Sequence, residues 1–439
     1  MARDISFDLI QKNSQRLATL EVRLDSNYSD RSAWKKFITE GLGNTPLMTC
    51  CSLKILKDPS PSRTAQLELK SPPGCRRIRH LEMEGLPFSI VKEFCQPSLV
   101  TLSITYGEED VSISALLSVL STLSSLEELS VYPPNSFPTN PITENSETGP
   151  KDALLPHLAS LRLSSDLIGS DILLDHLVIP STTYYEIEIG AKDPTKFLKA
   201  LERKLQGIKT IGERPPLKCG QLTSPRYDGD TMVWRAWTTD VKFEGEFLPE
   251  DTPLLYIRLS DKYDDFRAGV VSFFSNLVLS EVKTLHVIHA RRIFTSDSWH
   301  SFFTLTPNVQ DLYVTGSSTG LRRIFQAMRP EAEPEEAETI LLPQIHTLTV
   351  GYGARQSTHE AVQRVVKELG STLKARIPFH STIQKFAISG LLSKCKMERF
   401  EALGKWVDSI VKLSAERDWV LYHYNFDSSS ESEDKKEDD

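Results

Sequence analysis

A chain of 439 residues, 39% hydrophobic and 25% charged, carries apolar side chains for an extensive core and exceeds the size at which a single core stops growing. Its net charge of −8 is uneven: DSSSESEDKKEDD, from Asp427, holds seven acids and two lysines, leaving −3 on the other 426 residues. A near-neutral body without a lysine and arginine stripe argues against a nucleic-acid surface, and the lack of an apolar run near ~18 residues argues against a membrane span.

Along the chain one six-residue phrase returns ten times: apolar, two spacers, apolar, one spacer, apolar. The copies are IRHLEM from Ile78, LVTLSI from Leu99, LEELSV from Leu126, LASLRL from Leu158 and YYEIEI from Tyr184, then LLYIRL from Leu254, VKTLHV from Val282, VQDLYV from Val309, IHTLTV from Ile345 and IQKFAI from Ile383. Three apolar positions alone recur by chance roughly 26 times in a chain of this composition. The spacers decide the matter, because they are mostly polar and give the period-2 alternation of a half-buried strand. The fourth position is Leu or Ile in nine copies and Phe386 in the tenth.

Counted from that position, the units run 21, 27, 32 and 26 residues from Leu81 to Ile187, and 28, 27, 36 and 38 from Ile257 to Phe386. This is the LxxLxL core of a leucine-rich repeat, whose units stack as strand plus helix. The expected fold class is α/β: an irregular leucine-rich-repeat solenoid, with a curved parallel sheet on one face, helices on the other and a disordered acidic C-terminal tail. The 70-residue gap between Ile187 and Ile257 leaves room for two degenerate copies, near Ile208 to Ile211 and Val233 to Trp237.

Residues 1–70 read as a divergent repeat-like segment, with LATLEV from Leu17 and TAQLEL from Thr64 as imperfect copies. The repeat region spans 71–426. Within it, the stretch from Ser112 presents Ile113, Leu116, Leu117, Leu120 and Leu123 as a helix face. Asp193-Pro194 opens a second helix with Phe197, Leu198, Leu201 and Leu205 inward. Ser357 and Glu360 form a capping box ahead of Val362, Val365 and Leu369. A helix from about Ser393 to Glu416, with Leu403, Val407, Ile410 and Val411 inward, is expected to cap the solenoid. The proline-rich stretch 133–150 and the acidic EAEPEEAE from Glu331 read as exposed loops. The tail 427–439 reads as disordered, with Ser428 and Ser430, each three residues before a glutamate, as candidate phosphorylation sites.

Side chains alternate along a strand, so the residues flanking the last two apolar positions face outward together. Tyr and Arg are the usual interface anchors. The candidate partner-binding residues on this concave face are Tyr132, Arg162, Glu186, Glu188, Tyr256, Arg258, His286, Asp311 and Tyr313.

Catalytic constellations are sparse. GSSTG, Gly316 to Gly320, follows a strand and precedes a helix, which places Ser318 where an α/β-hydrolase carries its nucleophile. Asp408 and His423 follow in triad order, but Asp408 sits in the helix pattern and His423 beside the tail. The repeat register explains the same glycines as a turn with Thr319 as helix cap. His286 and His289, three apart on a strand, point to opposite faces and are poorly placed to share a metal. The expectation is a protein that is no enzyme and uses no cofactor and no metal. Six cysteines without paired-ligand spacing fit reduced thiols in the cytosol or nucleus.

The line LLPHLASLRLSSDLIGSDILLDHLVIPSTT, Leu154 to Thr183, resembles the repeat region of the large F-box protein family of mushroom-forming fungi. LSVLSTLSSLEELSV from Leu117 and MVWRAW from Met232 are similar to it as well. The resemblance implies a substrate receptor of a cullin-based ubiquitin ligase, in which an N-terminal F-box docks the ligase linker subunit and the repeats select a protein target. No LPxE-type F-box phrase precedes the repeats here. The expected partners are therefore a protein target and, as an alternative, the ligase linker subunit, with no nucleic acid and no membrane.

Overall fold

The structure is a computed structural model. It describes residues 16–25, 45, 47–56, 77–86, 88–105, 112–132, 151–166, 169–190, 195–223, 232–240, 252–259, 274, 275, 277–288, 294–330, 340–352, 359–379, 383–390 and 402–412. The chain is mixed α/β, with mostly parallel strands and seven α-helices among the described residues. It divides into two compact units, the first comprising 1–239, 253–282 and 300–306, the second 240–252, 283–299 and 307–439.

In the first unit the strands are β1 (Thr19–Asp25), β2 (Cys50–Leu56), β3 (His80–Glu84), β4 (Thr101–Thr105), β5 (Glu128–Tyr132), β6 (Ala153–Leu154), β7 (Ser160–Ser164), β8 (Leu177–Pro180), β9 (Tyr184–Ile189), β10 (Thr210–Ile211), β11 (Cys219–Thr223), β12 (Met232–Trp237) and β13 (Leu255–Leu259). The main sheet runs β1-β2-β3-β4-β5-β7-β9-β13-β12-β11. From β1 through β13 the pairings are parallel, and the last two are antiparallel. A second, three-stranded parallel sheet has the order β10-β8-β6. Between the strands lie α1 (Phe88–Phe94), α2 (Ile113–Leu120), α3 (Ser170–His176) and α4 (Thr195–Leu205), of which α3 packs on both α2 and α4.

The register explains why the phrase recurs. Leu20, Cys51, Leu81, Leu102, Leu129, Leu161, Tyr185 and Leu255 occupy one lateral row, and all are buried. A second row, Leu53, Met83, Ile104, Val131, Leu163, Ile187 and Ile257, runs beside it and is equally buried. Each such Leu contributes about 1.5–3 kcal/mol by leaving water. One backbone hydrogen bond repeats ahead of each strand: Arg79 N–H to Thr49 C=O (2.8 Å), Val100 to Arg79 (2.7 Å), Glu127 to Val100 (2.8 Å), Ala159 to Glu127 (2.7 Å) and Tyr184 to Ala159 (2.8 Å).

Three expectations for this region change. In β9 and β13 the phrase is shifted by two residues, so Leu161 sits opposite Tyr185 rather than Ile187. A two-residue slip keeps every side chain on its face, so the apolar pattern cannot detect it. Strand β2, with Met48, Cys51 and Leu53 at the three apolar positions, is a copy hidden by its sulfur-bearing residues. The segments near Ile208 to Ile211 and Val233 to Trp237 are no parallel copies. The first joins the small sheet as β10, and the second, β12, runs antiparallel to its neighbours β11 and β13. Eight residues separate Thr223 from Met232, too few for the crossover that a parallel pair needs. TAQLEL lies outside the described residues.

Gly220 on β11 is required by this excursion. A Cβ there would stand 2.3 Å from the Trp234 ring. The indole occupies that space, edge-on to Phe274 (5.2 Å between centroids) and Phe302 (6.2 Å). Both Trp234 and Trp237 are buried. On α4, Phe197, Leu198, Leu201 and Leu205 are buried as the periodicity predicts. Lys204 is buried beside them, its ammonium donating to the carbonyls of Leu177 on β8 and Lys209. It closes the end of the helix, and burial lowers its pKa to about 8.

Among the described residues the second unit has five parallel strands in chain order: β14 (Thr284–Ile288), β15 (Asp311–Gly316), β16 (Thr347–Tyr352), β17 (Ile383–Gly390) and β18 (Val407–Lys412). Its helices are α6 (Ser318–Ala327) and α7 (His359–Arg376), while α5 (Ser296–Thr304) is divided, 296–299 belonging to this unit and 300–304 to the first. Val362, Val365, Leu369 and Leu373 of α7 are buried, and α7 packs on α6. Arg376, also buried, donates to the carbonyls of Met328 (3.2 Å), Leu341 (2.8 Å) and Leu342 (2.8 Å), which satisfies backbone groups at the end of α6 and before β16. The expected capping helix is corrected here. Residues 402–405 form a 3-10 turn, and Val407–Lys412 is a strand paired with β17. In VDSIVK the β-branched residues suit a strand edge better than a helix. The expected loops at 133–150 and 331–338, the helix-opening residues Asp193, Pro194 and Ser357, and the tail from 427 lie outside the described residues.

Candidate binding face of the first unit

The outward residues of the first unit's strands fall into register with one another. Ser103, Ser130, Arg162, Glu186, Tyr256, Arg235 and Gln221 form one lateral row from β4 to β11. Beside it, Ser164, Glu188 and Arg258 align on β7, β9 and β13. Parallel neighbours stand about 4.8 Å apart, so side chains in a row touch.

They interact accordingly. Arg162 pairs with Glu186 at 3.0 Å, their side chains 45% and 37% exposed. Burial, with Glu186 next, pushes the Tyr132 hydroxyl above the usual phenol range, and the Arg162 guanidinium on the neighbouring strand opposes the shift. Tyr184 is pushed up to about 12, first by burial and then by Glu186. At the far end the Arg235 guanidinium lies 5.1 Å over the Tyr256 ring and donates to Gln221 Oε1 at 3.0 Å. Burial lowers the Arg235 pKa, with Tyr256 opposing the shift. A guanidinium stacked on a ring holds that ring still, and three tyrosines around one ion pair make a surface that presents aromatic area with little entropy to lose.

Six of the nine residues read from the sequence, Tyr132, Arg162, Glu186, Glu188, Tyr256 and Arg258, share this face. Arg258 is exposed and the carboxylates half-buried. Arg235 and Tyr184 belong with them and were missed, whereas Gln221 continues the row but is itself buried on β11. Arg235 and Gln221 lie on the antiparallel strands, where the repeat phrase gives no register; Tyr184 was counted as an apolar core position. The alternation in MVWRAW was the available signal for Arg235.

The remaining three are in the second unit, where two are corrected. His286 and Tyr313 are buried, 2% and 9% exposed, and stacked on each other at 4.1 Å between ring centroids. Burial lowers the His286 pKa to about 3. Along β15 the residues from Leu312 to Gly316 are all buried, so this strand has no open side. Polar-looking alternation cannot distinguish a solvated His or Tyr from one whose ring is packed, since both carry an apolar body. Asp311 alone of the three is exposed.

Ser318 opens α6 as its first helical residue. The N-cap is Ser317, whose hydroxyl accepts from Gly320 N–H at 3.2 Å, in place of Thr319. Asp408 is exposed on β18, a strand where a helix was expected. His289, His423, Ser428 and Ser430 lie outside the described residues. Among the described residues no group of three His, Cys, Asp or Glu could hold a metal ion, Cys50, Cys51, Cys95 and Cys219 form no disulfide, and no helix is long and apolar enough to cross a membrane.

No protein-family model and no curated protein matches this sequence. Among solved structures the chain is similar to the leucine-rich repeat-containing protein LegL7 from Legionella pneumophila, at 11% identity and a TM-score of 0.25 over 73% of this chain and 85% of that one.

Proposed function

We propose that the chain is a leucine-rich-repeat solenoid without catalytic activity, which recognises a protein partner through the strand face of its first unit. One observation carries the reading: a row of Arg162, Glu186, Tyr256 and Arg235, one residue per neighbouring strand, with Tyr132 and Tyr184 beside it. The strands that supply these residues are held by buried apolar side chains on their other side, among them Leu161, Ile187, Ile257 and Trp234, which leaves the outward side chains to serve contact. Tyrosine and arginine at the centre of a patch are the residues that carry most of a protein interface's affinity.

Site-specific photocrosslinking tests this. A benzophenone amino acid at Tyr256 is expected to capture a protein that one at Lys199, exposed on α4, does not. The substitutions Arg162→Ala and Arg258→Ala together should abolish that adduct while leaving the melting temperature unchanged. Adducts formed only from Lys199 would move recognition to the helices.

A further inference from the structure

We infer that the partner docks through an extended segment carrying an acidic side chain two residues from an apolar one, the carboxylate on Arg235 and the apolar side chain on Leu254 and Tyr184. The inference deepens the proposed binding role of the face and rests on it. On β7, β9, β13, β12 and β11 the outward side chains include three guanidiniums, Arg162, Arg258 and Arg235, and two carboxylates, Glu186 and Glu188. Arg162 and Glu186 form an ion pair. Glu188 and Arg258 are register partners on adjacent strands. Arg235 is the guanidinium left over.

Both contacts of Arg235 are neutral: the Tyr256 ring at 5.1 Å and Gln221 Oε1 at 3.0 Å. Gln221 is itself 1% exposed, so the support does not move. Holding a half-buried cation without a counter-charge costs free energy, and a fork fixed in place matches the two oxygens of a carboxylate. The apolar subsite lies one step along the strands. Leu254 extends the ladder of β13, its N–H donating to Ala236 C=O at 2.8 Å and its C=O accepting from Tyr185 N–H at 2.9 Å. It therefore stands beside Tyr184, and both are half-buried. Leu254 is the diagonal neighbour of Arg235 across β12 and β13, a separation of about 7–8 Å. An extended chain places side chains i and i+2 on one side about 7 Å apart, which spans the two subsites. A basic segment would bring a like charge to Arg235 and leave it unpaired.

The test presents the full chain to a random peptide library displayed on phage, and the enriched peptides are then measured by fluorescence anisotropy. Enriched peptides should carry Asp or Glu two residues from a large apolar residue. Replacing that acid by its amide, or making Arg235→Gln in the protein, should each weaken binding at least about ten-fold. The two changes together should lose no more than either alone, because they remove the same contact. Glu188→Gln should tighten binding, whereas Lys196→Gln with Lys199→Gln on α4 should change it less than about two-fold. Arg235→Lys, which keeps the charge without the fork, should lose about three-fold and serves if Arg235→Gln impairs folding. No enrichment, enriched peptides without an acid, or additive losses overturn the inference. A phosphoserine at the acidic position that binds more than about ten-fold tighter overturns it too, in favour of a phosphorylated segment. The crosslink from Tyr256 reports on the binding role of the face independently of these outcomes.

Discussion

Replacing His286 by phenylalanine should make the protein less sensitive to acid. His286 is enclosed on β14 against the Tyr313 ring, and burial holds its pKa near 3, whereas in the unfolded chain an imidazole titrates at about 6.5. As pH falls through 6.5 the unfolded chain takes up a proton that the folded protein refuses. The folded state therefore loses stability from pH 6.5 downward, until the folded imidazole protonates near 3. Each pH unit inside that window is worth about 1.4 kcal/mol, so the step from pH 7 to pH 5 removes about 2 kcal/mol. Other groups titrate over the same range, but they are common to both proteins and cancel in the comparison. Urea unfolding of the wild type and of His286→Phe at both pH values should give a difference of differences of about 2 kcal/mol in favour of the variant. Phenylalanine keeps an aromatic partner for Tyr313, and any packing change shifts both pH values alike. Parallel pH dependences, agreeing within about 0.5 kcal/mol, would refute the buried neutral imidazole.

Gly220→Ala should destabilise the first unit by about 1–3 kcal/mol, because the added methyl meets the Trp234 ring at 2.3 Å; Trp234→Leu in the same chain should reduce the penalty, measured as coupling in thermal melts. At the start of α6, Ser317→Ala should cost about 1 kcal/mol as the lost N-cap, while Ser318→Ala should leave both stability and background hydrolysis of an ester substrate unchanged. A rate that falls with Ser318→Ala would make that serine a nucleophile.

Much of the architecture was legible from residue order alone. Alternating apolar and polar residues at LxxLxL spacing predict short half-buried strands separated by helices, and the buried rows from Leu81 to Leu161 follow from that pattern. Because a strand's faces differ by parity, the outward positions of Tyr132, Arg162, Glu186, Glu188, Tyr256 and Arg258 were readable too. Long-range pairing was not. That β9 joins β13 directly, that β12 turns back between β11 and β13, and that Arg235 thereby stacks on Tyr256 depend on contacts between residues far apart in the chain. Nor does local pattern say whether the polar side of a strand is covered, which is why His286 and Tyr313 look outward in the sequence and are enclosed in the fold. Parity is a property of the strand itself; burial belongs to whatever packs against it, and only tertiary structure supplies that.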